Sequence, residues 1–359
     1  MGRVASGCAR LGLLALLAAC RASAEPLPAA PAAAEPAKSA ATTPAPSEPA
    51  LTARAPGPEA VALDPGDRPF AGTRYGQDFV LAQLSNAQPL SFKPIKSTGG
   101  VFRVRLAGPI DAAWKPVTSG RPLGPAAEVA AYRVARCLGL DNVPPAVWRE
   151  FPATLIRDMR DPEGRGSWRE LRERLGVAED DSTLLGGAAI FWIPQLTDLG
   201  LESRRGLQRV GEWLSRKGEL PADKRVLAGT LSNMLAFDYL IGNFDRWSGG
   251  NVGGDSQQAR AYIRDHDLAF PARMNEKLHR RLWHEVQHAE RFSKRFHRAL
   301  ERLRRDCVQK EFARDPLGAR GRLLLKSQLE GVFDRREALL SHINTLIEQH
   351  GAASVLAFE

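Results

Sequence analysis

The chain has few of the features that settle a fold at a glance. Its 359 residues include four cysteines, four methionines and four tyrosines. No CxxC pair and no spaced His/Cys quartet occurs, which excludes a structural zinc site. The apolar run from Leu11 to Leu17 is far shorter than the about 20 residues a membrane-spanning helix needs. No internal repeat is present, so solenoids and propellers are excluded. From Arg21 to Pro65 large apolar side chains are scarce while Ala and Pro dominate. Such a stretch has too few backbone donors and too little to bury to build a core.

What is present begins with export. Arg3 and Arg10 make a positive n-region before the short apolar run, the pattern of a secretory signal. The run closes on Leu17, Ala18, Ala19 and Cys20, which resembles a bacterial lipobox, in which the cysteine is lipidated and becomes the mature N-terminus. The alternative is an ordinary cleaved signal in which Cys20 is incidental. The first reading predicts a lipoprotein signal peptide over residues 1–19, Cys20 as lipidation site and an Ala/Pro-rich disordered tether over 20–65. It places the protein in the bacterial cell envelope, lipid-anchored to a membrane and facing the periplasm or the exterior.

Gly66 onward is long enough for one two-lobed domain or two small ones. The net charge is +9, with Lys and Arg clustered between 273 and 325. Such a cluster is usually a solvated helix face; it also suits an acidic substrate or anionic lipid. No nucleic-acid partner is expected. Cys137 and Cys307 lie in helix-like stretches and are expected as separate buried thiols, pairing being the lesser alternative in an oxidising envelope.

Residues 101–106 alternate in polarity, predicting a half-buried strand between Gly99–Gly100 and Gly108–Pro109. The return strand carries Ala112, Ala113, Trp114 and Lys115, and a helix from Pro125 to Leu138 ends at Gly139. The continuous apolar run 188–193 predicts a buried strand. The second half reads as helical: one helix over 226–240, a hairpin turning at Gly253–Gly254 with its return strand at 261–263, then long helices over 276–309 and 331–350. The predicted fold class is α+β, with a β-rich lobe over 66–200 and a helical lobe over 201–359.

Phosphoryl transfer is mostly positioning and charge neutralisation, and its parts occur here in chain order. Lys115 ends a glycine-preceded hairpin, and Glu128 on the next helix is its natural ion-pair partner. Asp245 stands on a tight loop ahead of Asn251, suited to orienting an attacking hydroxyl. Asp265 follows a strand and is suited to holding Mg²⁺ or Mn²⁺. Each also has a plainer reading. Lys115 would be a strand-end lysine, Glu128 an acid complementing a helix dipole, Asp245 an Asx-turn residue and Asp265 part of a solvated turn. His266 reads as a turn residue, and Asp238 as a structural hydrogen-bonding acid.

Four stretches carry a family resemblance: 113–116; 127–132 continuing through 138–140 and 143–145; 237–246; and Asp265–His266 with Phe270. The chain over about 88–357 resembles the secretory-pathway atypical kinases, the group of the Golgi casein kinase, the glycosaminoglycan xylose kinase and the four-jointed kinase. The resemblance implies a two-lobed atypical protein-kinase-like fold. It implies ATP with Mg²⁺ or Mn²⁺ as cofactors, Lys115, Glu128, Gly99 and Gly100 at the nucleotide, Asp245 as catalytic aspartate, and Asp265 with Asn251 as metal ligands. Three departures stand out. Trp247 replaces a usual His, Asn251 lies one residue further from Asp245 than is usual, and Asp267 and Ala269 replace glycines. The resulting expectation is an extracytoplasmic kinase acting on a hydroxyl of a protein, glycan or small-molecule acceptor. The alternative is a catalytically inactive kinase-fold lipoprotein that binds a nucleotide, glycan or protein partner.

Overall fold

The computed structural model describes residues 67–95, 100–161, 167–177 and 183–359. The signal segment, Cys20, the tether and Gly99 lie outside the described residues. The described part opens with α1 (Gln77–Asn86), β1 (Pro89–Pro94), β2 (Phe102–Leu106) and β3 (Asp111–Pro116). Then come α2 (Gly124–Leu138), β4 (Ala146–Pro152), α3 (Ala153–Asp158), α4 (Trp168–Leu175) and β5 (Leu184–Phe191). These strands form a five-stranded antiparallel sheet in the order β1-β2-β3-β5-β4. Three helices expected from neither periodicity nor resemblance, α1, α3 and α4, flank this lobe.

Period-2 alternation sets the two faces of β3. Ala112, Trp114 and Pro116 are buried on one side, and Asp111, Ala113 and Lys115 are half-buried on the other. Trp114 packs among Phe92, Phe102 and Phe151, with ring centroids 5.1 to 6.1 Å away. Its indole donates to the Arg149 carbonyl at 3.2 Å, so the large ring is anchored at its polar end as well. Anchoring Trp114 fixes the register that turns Lys115 to the opposite face. There Lys115 pairs with Ala188, and Pro116 with Gly187. A Cβ on Gly187 would sit 2.4 Å from the Lys115 carbonyl oxygen, so only glycine lets β5 approach β3 so closely.

Helix α2 covers that second face. Its small buried residues Ala127, Ala130, Ala131 and Ala135 bring the backbone close to the sheet, and Gly139 at φ 66° ends it in the left-handed region.

The remainder is largely helical. β6 (Thr197–Asp198) and α5 (Arg204–Leu214) lead to α6 (Arg225–Ile241), which is capped by Gly242 at φ 71°. β7 (Gly253–Gly254) and β8 (Ala261–Tyr262) join β6 in a small sheet. Then follow α7 (Glu276–Gln287), α8 (Lys294–Arg302), α9 (Arg305–Ala313), α10 (Pro316–Ala319), α11 (Lys326–His350) and α12 (Ala352–Val355). Among the described residues no helix is long and apolar enough to cross a membrane.

Three expectations are corrected. Gly253 and Gly254 do not make the hairpin turn; they form β7, and the turn runs over 255–260, closed by Asp255 Oδ1 accepting from the Ala259 amide at 2.8 Å. A Cβ on Gly254 would come 2.5 Å from the Arg260 carbonyl oxygen, so this glycine serves close approach. The segment 276–309 is not one long helix. It breaks at 288–293, where Phe292 exchanges backbone bonds with Val355 and Phe358 and Ser293 caps α8. It breaks again at Arg304, which is extended at φ −123°. Finally, Cys137 on α2 and Cys307 on α9 form a disulfide with Cα atoms 6.1 Å apart.

Candidate active site

Lys115 leaves the open face of β3 and ends between two carboxylates. Its Nζ donates to Glu128 Oε1 at 2.5 Å and to Asp265 Oδ1 at 2.6 Å. Burial alone works against the ammonium, but Glu128 and then Asp265 overcome it and hold the lysine above its ordinary range. Glu128 is 3% exposed. Its burial favours the neutral acid, yet Lys115 and His266 keep the carboxyl well below the usual carboxylate range. For Asp265 too, burial is opposed chiefly by Lys115, and the net direction is down.

His266 is not a mere turn residue. It is buried, edge-on to Phe237 at 5.9 Å, with Nδ1 3.3 Å from Glu128 Oε2. An ionised carboxylate only accepts, so Nδ1 carries the proton. Each oxygen of Glu128 therefore has its own donor, one from the sheet and one from the segment after β8. Asp265 itself adopts φ 65°, a left-handed conformation uncommon for a residue with a side chain.

Lys115, Glu128 and Asp265 line a cavity of about 640 Å³. Ala113, Ile190, Phe191, Trp192 and Ile193 make an apolar wall, and Lys115, Glu128, Asp265, Asp267, Arg121 and Arg264 supply the charge. Gly100 also lines it. An apolar wall beside convergent charge suits an amphipathic ligand with a flat apolar body and an ionised tail. Asp267 is pushed up by burial, with Asp265 and Glu128 adding to the push against Lys115; Arg121 stands 3.6 Å away.

Asp245 and Asn251 do not line this cavity but belong to the adjoining loop. Arg246, 1% exposed, organises that loop. Its Nε and Nη2 donate to Asp238 Oδ2 and Oδ1 at 2.7 and 2.9 Å. Its Nη1 donates to the carbonyls of Asn251, at 3.1 Å, and Arg264. Asp238 is thus the structural acid expected at that position, and it also accepts from Asn243 Nδ2 at 2.9 Å. Asn251 Nδ2 donates to the Asp245 carbonyl at 2.8 Å and to Ser248 Oγ at 3.1 Å. The Asp245 carboxylate is half-buried and bonds to no described side chain or backbone group.

Sequence reasoning placed Lys115, Glu128, Asp265 and Gly100 around one cavity, and the structure brings all of them there. It missed the roles of Arg264 and His266, the two chain neighbours of Asp265, whose position beside that residue was the one signal available.

A sheet lobe and a helical lobe meeting at a lysine held by two acids define a protein with a two-lobed, kinase-like fold. No family model and no curated protein matches the sequence. Solved structures do match. The Golgi casein kinase aligns with TM-score 0.58 and 16% identity over 78% of each chain. A structure of the same enzyme with Mn/ADP bound aligns with TM-score 0.58 and 15% identity, again over 78% of each chain. Hydra Fam20 with sugar aligns with TM-score 0.56 and 15% identity over 77% of this chain and 91% of that one. The resemblance seen in the four sequence stretches therefore holds for the fold of the described domain.

Proposed function

We propose that the protein is an ATP-dependent phosphotransferase acting outside the cytoplasm, anchored through Cys20. The observation that carries this reading is Lys115 fixed between Glu128 and Asp265 in the wall of a cavity of about 640 Å³. The donor set suits a nucleotide with a divalent cation. Asp265 and Asp267 are hard oxygen donors beside cationic side chains. Among the described residues no group of three or more metal-binding side chains occurs; phosphate and water would complete the coordination of a cation held by these two carboxylates.

The bound cation would screen the triphosphate and polarise the γ-phosphoryl group. Lys115 would neutralise phosphate oxygens, and Glu128 would keep the lysine aimed. The unpartnered carboxylate of Asp245 would orient the acceptor hydroxyl and take its proton. The Mn/ADP complex of the Golgi casein kinase supports the choice of cofactor. The disulfide supports an oxidising compartment. Acceptors of protein, glycan or small-molecule type all remain consistent with the fold.

The second reading, a non-catalytic kinase-fold binding protein, is favoured by one observation. Neither Asp245 nor Asn251 lines the cavity that holds Lys115, Glu128 and Asp265.

Thermal unfolding with ADP, with and without Mn²⁺, is the test. Metal-dependent stabilisation of about 5 °C at saturating ADP is expected. It should vanish in Asp265→Ala and persist in Asp245→Ala, whereas transfer of radiolabelled γ-phosphate should vanish in both. Stabilisation without phosphoryl transfer from ATP to any acceptor would favour the binding protein. Equal loss of ADP binding in the two variants would contradict the assigned roles.

A further inference from the structure

Asn251 stands six residues after Asp245, and the loop between them contains the adjacent glycines Gly249 and Gly250. Gly249 and Gly250 have φ of 112° and 79°, and a Cβ on either would meet open space. Glycines in such a stretch lose the most freedom on ordering. Something outside the loop has to hold it.

Glu202, just ahead of α5, reaches into the bulge. Its Oε2 accepts from the Gly250 amide at 2.7 Å and its Oε1 from the Asn251 amide at 3.0 Å. Two successive backbone N–H groups aimed at one carboxylate form an anion nest, here filled by the protein itself. Bonds of this kind are charge-assisted and among the stronger ones available. The Gly250 carbonyl is taken by Arg264, whose side chain lines the cavity. The bulge is thus gripped at both polar ends of one residue, by an acid from the helical lobe and a base from the nucleotide wall. The same peptide leads directly into Asn251, whose amide fixes the Asp245 carbonyl.

We propose that Glu202 is a positioning residue that clamps the Gly249–Asn251 bulge and so keeps Asn251 in register with Asp265 despite the two adjacent glycines. Its consequence for metal and nucleotide rests on the phosphotransferase reading. The clamp itself does not.

The test uses the full chain with Glu202→Ala and the milder Glu202→Gln, which keeps the shape and one accepting oxygen. Amide hydrogen exchange at single-residue resolution, without ligand, is expected to rise about tenfold or more at Gly250 and Asn251 in Glu202→Ala. The rise should be smaller in Glu202→Gln, with helix α6 unchanged in both. The Mn²⁺ midpoint for stabilisation by ADP is expected to rise about 10–100-fold in Glu202→Ala, with ADP binding in the absence of metal unchanged. Unchanged exchange at these two amides would overturn the clamp. Faster exchange with an unchanged Mn²⁺ midpoint would show a purely structural contact and overturn the positioning role. Failure of the wild-type chain to bind ADP with any metal would overturn the phosphotransferase reading and the positioning role with it, while the exchange result still decides the clamp.

Discussion

Arg246 shows how much one side chain can decide. Its guanidinium is buried and spends its donors on Asp238 and on the carbonyls of Asn251 and Arg264, joining the end of α6 to both candidate catalytic segments. Removing one partner of a buried pair strands the other charge. Arg246→Met is therefore expected to lower unfolding free energy by about 3–5 kcal/mol in denaturant titrations. Arg246→Lys should recover little of that, because a point charge cannot reproduce the planar fork. Glu285 on α7 offers a test in pH. Burial raises its carboxyl from 4.5 to about 6, against the pull of Arg281. As pH rises from 4.5 to 6 the unfolded chain loses this proton more readily, so the group withdraws stability across that window and the deficit persists above it. Glu285→Gln should be about 1–2 kcal/mol more stable than wild type at pH 7.5 and indistinguishable from it near pH 4. A constant difference across that range would refute the assignment.

At the scale of elements, α2 is the part on which the site hangs, because it carries Glu128. It is fastened away from the sheet as well as to it. Arg133 reaches Glu311 at 3.6 Å and Asp315 at 3.8 Å, Arg136 reaches Glu311 at 3.3 Å, and the disulfide joins α2 to α9. The bridge closes a separation of 170 residues, so it removes much conformational freedom from the unfolded chain. Reduction, or Cys137→Ser, is expected to cost about 2–5 kcal/mol, read as a lower melting temperature in reductant. An unchanged melting temperature would mean that packing and ion pairs alone hold the helix. The segment 276–309 was legible as helical but not as broken. Helical periodicity continues through it, and the first break comes from Phe292 pairing with Val355 and Phe358 near the far end of the chain.

At the scale of the whole molecule there are two apolar clusters among the described residues. One runs from Ala130 and Tyr132 on α2 and Ile190 on β5 through Phe237 on α6 and Phe296 on α8 to Ile343 on α11; the other gathers Phe92, Phe102, Trp114 and Phe151 on the opposite face of the sheet. Because the first cluster spans both lobes, they are expected to unfold together. Calorimetry should show one transition, moved upward as a unit by Mn²⁺ with ADP; two separated transitions would show that the lobes are independently stable. The basic cluster belongs to this scale as well. Arg280 pairs with Glu276 one turn away, as on a solvated helix face. Arg291 instead donates to the carbonyls of Trp213, Arg216 and Gly218, tying α5 to the segment before α8.

The sequence by itself determined whatever depends on neighbours along the chain. An alternating strand over 101–106 followed by a hairpin placed Lys115 on the return strand, a glycine ended α2 behind Glu128, and a second glycine ended α6 ahead of Asp245, because strand period and helix caps are local physics. It was the family resemblance of those stretches, more than their order, that led to the expectation of one site for Lys115, Glu128 and Asp265. Only the tertiary structure decided what depends on distant partners. It paired Cys137 with Cys307, seated His266 against Glu128, put β7 where a turn was expected, and gave the bulge before Asn251 to Glu202. Each of these is a contact between residues far apart in sequence, where no periodicity or spacing reports which groups will meet.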